Sequence, residues 1–305
     1  MNLLDKIKSG AAQTAGLALL LVCAAGMASA QVMFVANNGS DSVAAFDGNG
    51  VSLGTVASSI SFPNGVALDS GGHLYVATGG VIEEYSANGT HLGTFATTGV
   101  NNPMGLAFDA GGNLYAANFG SNSVEKFSST GTDLGVFAGT GVNGPTGLKF
   151  DASGNLYVAN YNTGDILKFA TDGSPLSFTA NVYTPGDLVF DALGNIYVSD
   201  QGNHQIEVLS PTGASLGVFA STGTHTPIGL AFDASGNLYA AYRDANIVEK
   251  FSSNGTDLGT FASTGLATPT FIAIATVPEP ATWALIAGLA CGVLAMIRRR
   301  PWAGR

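Results

Sequence analysis

A short apolar segment recurs along the chain at intervals of about forty residues, and six of its copies end in a polar or aromatic residue. These residues are Asn37, Thr78, Asn118, Asn160, Asp200 and Tyr242. Phe119, Tyr161, His204 and Arg243 follow closely after four of them. Aromatic rings can stack on the faces of sugars, and amides and carboxylates bond to hydroxyl groups or to a peptide. The set therefore predicts a surface that binds a glycan or a protein, and the alternative is that these are solvated turn residues.

The segments that carry these residues form a repeat. Its head reads PNGVALDSGGHLYVA from Pro63, PMGLAFDAGGNLYAA from Pro103, PTGLKFDASGNLYVA from Pro145, PGDLVFDALGNIYVS from Pro185 and PIGLAFDASGNLYAA from Pro227. Each unit contains four short apolar segments separated by Gly, Asn, Asp and Ser, which is the composition of strands and turns. Four strands in a repeat of about 40 residues are typical of a β-propeller blade.

The two ends of the repeat region complete a sixth unit. PTFIAIA from Pro269 is a repeat head without a second strand, and MFVANN from Met33 is a second strand without a head. An open solenoid needs polar caps at both ends, whereas complementary halves predict a closed ring. The sequence therefore predicts an all-β fold over residues 31–276, a six-bladed β-propeller whose sixth blade is closed by N- and C-terminal strands.

Residues 1–30 have the composition of a secretory signal peptide. Lys6 and Lys8 precede an apolar run, and the small residues Ala28-Ser29-Ala30 come directly before Gln31. We expect signal peptidase to cleave at this point.

Residues 277–305 form a second segment outside the repeats. The tetrad Val277-Pro278-Glu279-Pro280 is followed by 17 uncharged residues, enough for a short transmembrane helix, and then by Arg298, Arg299 and Arg300. This arrangement resembles the PEP-CTERM sorting signal of Gram-negative bacteria. The resemblance implies export across the inner membrane, a transient membrane anchor, and cleavage by an exosortase near Glu279. It further implies delivery to the cell surface or the exopolysaccharide matrix.

The charge of residues 31–276 excludes some partners. The whole chain has 21 acids and 11 bases, of which two acids (Asp5 and Glu279) and six bases lie outside residues 31–276. The repeat region therefore has 19 acids and 5 bases, a formal charge of −14. Nucleic acid and anionic lipid are held by basic patches, so we expect neither to bind, and membrane contact only through the C-terminal helix. Cys23 and Cys291 lie outside the repeats, so the propeller has no disulfide and no thiol nucleophile. We expect a monomer.

The fourth complete repeat, from Pro185, resembles the NHL family through the skeleton GN-I-YV-SD-GN-H-I. The resemblance covers about residues 32–275, although the other repeats replace the Asp of YVSD. It implies a propeller fold. Because NHL propellers include protein binders, RNA binders and a few lyases, and related gluconolactonase-like propellers are metal-dependent hydrolases, it does not decide the activity.

Some recurring polar residues have a structural interpretation. An aspartate precedes a Gly-rich turn in each complete repeat, where its side chain can accept bonds from backbone N–H groups. These are Asp69, Asp109, Asp151, Asp191 and Asp233. The asparagines of the Gly-Asn turns are expected in left-handed backbone geometry. These are Asn113, Asn155, Asn195 and Asn237.

Two residues depart from the pattern of the first strand. Lys149 replaces Ala or Val, and Asp187 replaces a residue that is usually Gly. Since a buried charge is costly without a partner, we expect an ion pair between them near the central channel. The alternative is a catalytic lysine.

An enzyme is the second functional hypothesis. Of the four histidines, His204 and His225 are expected on the predicted binding face, and His73 and His91 are not. A metal-dependent lactonase or lyase would place its metal near Asp200 and His204. Calcium could also be held by Asp200 and Asp41, although the chain has no ligand spacing like that of an EF-hand. The sequence favours an exported, non-catalytic binding or scaffold propeller without a cofactor.

Overall fold

The computed structural model describes residues 31–178 and 180–276. Their strands form six four-stranded antiparallel sheets, and one short 3-10 turn spans Asn38–Ser40. The first strand of each sheet packs against the first strands of the two neighbouring sheets, and these contacts return from the last sheet to the first. The predicted six-bladed β-propeller is therefore confirmed.

We number the blades in chain order and each strand by its position in the sequence. Blade 1 contains β24 (Pro269–Thr276), β1 (Gln31–Asn37), β2 (Ser42–Asp47) and β3 (Ser52–Ser58). Blade 2 contains β4 (Val66–Leu68), β5 (Leu74–Ala77), β6 (Ile82–Tyr85) and β7 (His91–Ala96). Blade 3 contains β8 (Pro103–Phe108), β9 (Leu114–Asn118), β10 (Ser123–Phe127) and β11 (Asp133–Ala138).

The other three blades follow the same order from the axis outward. Blade 4 contains β12 (Pro145–Phe150), β13 (Leu156–Asn160), β14 (Asp165–Phe169) and the two-residue β15 (Pro175–Leu176). Blade 5 contains β16 (Pro185–Phe190), β17 (Ile196–Asp200), β18 (Gln205–Leu209) and β19 (Ser215–Ser221). Blade 6 contains β20 (Pro227–Phe232), β21 (Leu238–Tyr242), β22 (Ile247–Phe251) and β23 (Asp257–Ala262).

Blade 1 closes the ring in the predicted way. Its innermost strand β24 comes from the C-terminal side of the propeller and pairs antiparallel with β1, with Val35 opposite Ile272 and Met33 opposite Ile274. This pairing gives both strands a hydrogen-bonded neighbour, so neither end of the ring is left as an open sheet edge.

Aromatic packing between blades holds the ring together. Tyr115 of β9 meets Phe137 of its own blade at a centroid distance of 4.9 Å and Phe150 of the next blade at 4.8 Å, both edge to face. Such pairs add ~0.5–1.5 kcal/mol each to the burial of the rings. Tyr75, Tyr157 and Tyr197 make the same two contacts in blades 2, 4 and 5.

The recurring aspartates cap turns, as predicted. Asp109 Oδ1 accepts bonds from the N–H groups of Gly111 at 2.9 Å and Asn113 at 2.8 Å. Corresponding pairs of bonds form at Asp69, Asp151, Asp191 and Asp233.

The prediction of left-handed asparagines is wrong. In blade 3 the positive φ, 81°, is at Gly112, and Asn113 instead donates its Nδ2 group to Asp109 Oδ2 at 2.8 Å. The positive φ is likewise at the glycine before Asn155, Asn195 and Asn237, and each of these asparagines donates its Nδ2 group to the turn aspartate. Each asparagine therefore belongs to the aspartate cap.

The predicted signal peptide, residues 1–30, and sorting signal, residues 277–305, lie outside the described residues. Between residues 31 and 276, apart from residue 179, no helix is long and apolar enough to cross a membrane.

Candidate ligand-binding site

The loops between the second and third strands of the blades lie on one face, which we call the upper face. These loops are hydrogen-bonded to the loops that enter the first strands; for example, the N–H of Phe119 donates to Asn102 O at 3.2 Å. A cavity of about 210 Å³ opens here at the propeller axis. Three of the predicted binding residues line it, namely Phe119, Tyr161 and Arg243.

An aromatic pair forms one side of this upper cavity. Phe119 and Tyr161 follow the second strands of blades 3 and 4, and their ring centroids are 6.5 Å apart at an interplanar angle of 59°. The N–H of Tyr161 donates to Gly144 O at 2.9 Å, which fixes the backbone beneath the ring. Tyr161 is 37 % exposed and Phe119 is half-buried, so both rings have free surface on which a ligand can stack.

Arg243 contributes the positive charge of the upper cavity. It is exposed, and it has no carboxylate within 4.0 Å in the part of the chain that the structure describes. By contrast, Lys126, Lys168 and Lys250 contact the turn aspartates of their blades at 3.9, 3.3 and 3.8 Å. The Arg243 guanidinium is thus one of two basic groups in residues 31–276 that no described carboxylate pairs, and it can bond to a ligand.

Gly186 allows a further polar group to reach the upper cavity. The equivalent residues of the other first strands all carry side chains, whereas a Cβ on Gly186 would lie 2.8 Å from Nε2 of Gln201 and 2.7 Å from Oγ of Ser199. Gln201 therefore occupies this space and lines the cavity beside Gly186. Gln201 was not among the predicted binding residues. The signal for it in the sequence is Gly186, which stands where the other blades have Asn, Met, Thr or Ile and so leaves room for a neighbouring side chain.

The predicted amides do not face a ligand. Asn118 is 1 % exposed, its Nδ2 donates to Gly99 O at 2.7 Å, and its Oδ1 accepts from Asn101 N–H at 3.1 Å. Asn160 and Asn37 bond to the equivalent loops in the same way. These three amides hold the loop that enters their own blade, so the predicted ring of ligand-binding amides does not form.

Asp200 and His204 are also engaged locally. Asp200 is fully buried, and its carboxylate accepts bonds from the backbone and side chain of Asn203 and from Nε2 of Gln205. His204 Nδ1 lies 3.2 Å from the backbone oxygen of His225. The Asp200 carboxylate is thus occupied within its own loop, and His204 contacts the loop that enters blade 6. Within residues 31–178 and 180–276, no three His, Cys, Asp or Glu residues group as metal ligands.

Tyr242 is a core residue. It is fully buried, and its ring stacks on that of His225 with centroids 5.7 Å apart. Burial, together with the charge of Glu249, raises the pKa of its hydroxyl above the usual value. Asp41, the other residue considered for calcium, accepts a bond from Phe62 N–H at 3.0 Å. Neither residue lines the upper cavity.

The predicted ion pair between Lys149 and Asp187 is wrong. No contact within 4.0 Å joins their charged groups, and the Asp187 carboxylate instead accepts bonds from Leu188 N–H at 2.8 Å and Leu230 N–H at 3.1 Å. Burial raises the pKa of the Asp187 carboxyl to about 6, while the charge of Lys149 and the two N–H groups act in the opposite direction. Lys149 lines a different cavity at the other end of the axis.

No protein-family model matches this chain, and no curated protein matches it in sequence. Its fold is similar to several solved structures. A chain of the nidogen/laminin complex has a TM-score of 0.70 at 21 % identity, covering 82 % of this chain and 99 % of that one. A Bacteroides caccae protein of unknown function has a TM-score of 0.68 at 15 % identity, covering 81 % and 99 %. Virginiamycin B lyase from Staphylococcus aureus has a TM-score of 0.55 at 14 % identity, covering 68 % and 73 %. At these identities the likeness shows the propeller fold alone.

Proposed function

We propose that this protein is an exported, NHL-like propeller that binds an extracellular glycan in its upper cavity. It acts as a binding or scaffold module at the cell surface or in the exopolysaccharide matrix of a Gram-negative bacterium. Export rests on the signal-peptide pattern of residues 1–30 and on the PEP-CTERM-like pattern of residues 277–305.

The observation that carries the proposal is the convergence of four side chains at the upper cavity. Phe119 and Tyr161 supply apolar ring surface, Gln201 supplies an amide, and Arg243 supplies a guanidinium. Sugars present apolar faces edged by hydroxyl groups, and this combination satisfies both. An arginine with no described counter-ion further favours a glycan that places a single carboxylate group at Arg243.

The charge of the propeller narrows the choice of ligand. The propeller carries a formal charge of −14 over residues 31–276, so it would repel a polyphosphate chain except at Arg243. The NHL-like function of RNA binding is therefore disfavoured relative to glycan or protein binding. A protein partner remains the second ligand class, and a glycan is favoured because the cavity is small and concave.

A glycan array followed by titration of the hits tests the proposal. Tyr161→Ala should weaken binding at least tenfold, since ~1.4 kcal/mol of lost stacking has that effect. Tyr183→Ala is the matched control, because Tyr183 is 64 % exposed yet does not line the upper cavity. Equal affinities for wild type and Tyr161→Ala would refute the proposal.

The same titration addresses the enzyme alternative. A metal-dependent lactonase or lyase would convert a ligand to product, and a chelator would abolish that turnover. Binding that leaves the ligand intact, with or without chelator, is the outcome expected for a binding module.

A further inference from the structure

A second cavity lies at the opposite end of the axis from the upper cavity. It has a volume of about 480 Å³ and shares no lining residue with the upper cavity. We call this cavity the lower mouth. Each of the six first strands contributes to its lining one half-buried apolar residue at or near the end of the strand. These residues are Leu68, Phe108, Phe150, Phe190, Phe232 and Ile274.

One charged side chain interrupts this apolar wall. Lys149 is exposed and lines the lower mouth, at a position where the other five blades have Ala or Val. No carboxylate among the described residues lies within 4.0 Å of its ammonium group. The three other lysines of residues 31–276 each contact an aspartate, so an unpaired lysine is an exception in this strongly acidic propeller.

The Asp187 carboxylate does not pair with the Lys149 ammonium, because it is hydrogen-bonded to the backbone. It is 5 % exposed, and both of its oxygens accept backbone N–H groups. An ammonium beside apolar walls interacts more strongly with an anion than it would in open water, because the local dielectric constant is lower. The lower mouth therefore offers one unsatisfied positive charge next to apolar surface.

We propose that the lower mouth binds an amphipathic monocarboxylate, a medium-chain aliphatic acid. The Lys149 ammonium donates hydrogen bonds to the carboxylate, and the four phenylalanines that line the lower mouth cover the aliphatic chain. A cavity of this volume is within the ~300–1,000 Å³ usual for small-molecule sites.

Calorimetric titration of the protein with octanoate tests this assignment. Octanamide has the same chain without the charge, and acetate has the charge without the chain. We expect octanoate to bind with one molecule per chain, and both controls to bind at least tenfold more weakly. Octanamide binding as tightly as octanoate, or no saturable octanoate binding, would overturn the assignment.

Variants then locate the site. Lys149→Ala introduces the residue that blades 1, 2, 3 and 6 carry at this position, so the fold should tolerate it, and octanoate affinity should fall at least tenfold. Lys149→Arg should retain most of the affinity. Lys126→Ala is the matched control, because Lys126 contacts Asp109 and does not line the mouth, and it should bind octanoate as wild type does. Unchanged affinity in Lys149→Ala would refute the assignment, as would equal losses in both alanine variants.

This site is independent of the proposed glycan function. Tyr161→Ala removes a ring from the upper cavity and should leave octanoate binding unchanged. Failure of glycan binding alone would thus leave the lower-mouth assignment standing, and failure of octanoate binding would leave the upper cavity unaffected.

Discussion

Asp187 accepts a hydrogen bond from the backbone N–H of Leu230 at 3.1 Å, and this bond joins blade 5 to blade 6 beside the channel. Four of the other blades have glycine at the position of Asp187. A Cβ on one of these, Gly147, would lie 2.7 Å from Asp187 Oδ1. The carboxylate therefore fills space that neighbouring glycines leave open, and it is buried as a result.

Stability should fall with rising pH because of Asp187. Burial raises the pKa of its carboxyl from 3.8 to about 6, so the folded protein holds this proton more tightly than the unfolded chain. The stabilising contribution is complete below about pH 4 and is lost as the pH rises through about 6. At ~1.4 kcal/mol per pKa unit, the loss reaches about 3 kcal/mol.

Urea unfolding of wild type and Asp187→Asn at pH 4 and pH 7.5 measures this effect. The free energy of unfolding of the variant relative to wild type should rise by up to ~3 kcal/mol between the two pH values. The comparison between proteins is needed because burial and Asp133 also raise the pKa of Glu125 to about 7. A relative stability that does not change with pH would contradict the prediction.

The turn aspartates should stabilise the fold in the opposite pH range. Although burial favours its neutral form, hydrogen bonds from Asn113, Tyr115 and Gly111 hold the pKa of Asp109 below 3.8. Asp109→Ala should destabilise the protein by ~1–3 kcal/mol at pH 7, and by less as the pH falls through the folded-state pKa. Asp172→Ala is the comparison variant: Asp172 also accepts hydrogen bonds from Ser174, but in an exposed turn, so its loss should lower the melting temperature less.

Ring closure through blade 1 should be required for cooperative folding. A chain that ends at residue 268 lacks β24, so β1 loses its inner partner and blade 6 loses its neighbour. We expect this chain to aggregate or to melt without a sharp transition, in contrast to a chain of residues 31–276. Circular dichroism during heating distinguishes them, and identical sharp transitions would show that closure is dispensable.

Binding of an acidic glycan should depend on salt through Arg243. Raising the salt concentration from 0.05 to 0.5 M screens exposed charges and should weaken wild-type binding. Arg243→Ala should bind more weakly at low salt and show little further loss at high salt. Retention of the full salt dependence in Arg243→Ala would mean that another group meets the ligand's charge.

The blade architecture could be predicted because the repeat is regular and its ends are complementary. The half repeats MFVANN at Met33 and PTFIAIA at Pro269 predicted the closure of blade 1, and the recurring aspartates predicted the turn caps. Alignment also placed Phe119, Tyr161 and Arg243 on one face. These results follow from position along the strand, which repeat alignment specifies well.

Side-chain direction and lateral distance could not be read from the alignment. Asn118 has the predicted position, but its amide satisfies backbone groups of an adjacent loop rather than facing solvent. Lys149 and Asp187 lie in adjacent blades, yet two backbone N–H groups satisfy the carboxylate and the lysine extends into the lower mouth. In each case the competing partner was a backbone group, which the sequence does not reveal.

The most direct test of the glycan-binding account is an NMR titration of the isotope-labelled propeller with oligosaccharides cut from the native exopolysaccharide. We expect saturable shifts centred on Phe119, Tyr161, Gln201 and Arg243, with Lys149 unaffected. Shifts confined to the outer strands or to the lower mouth, or no shifts at millimolar oligosaccharide, would contradict it.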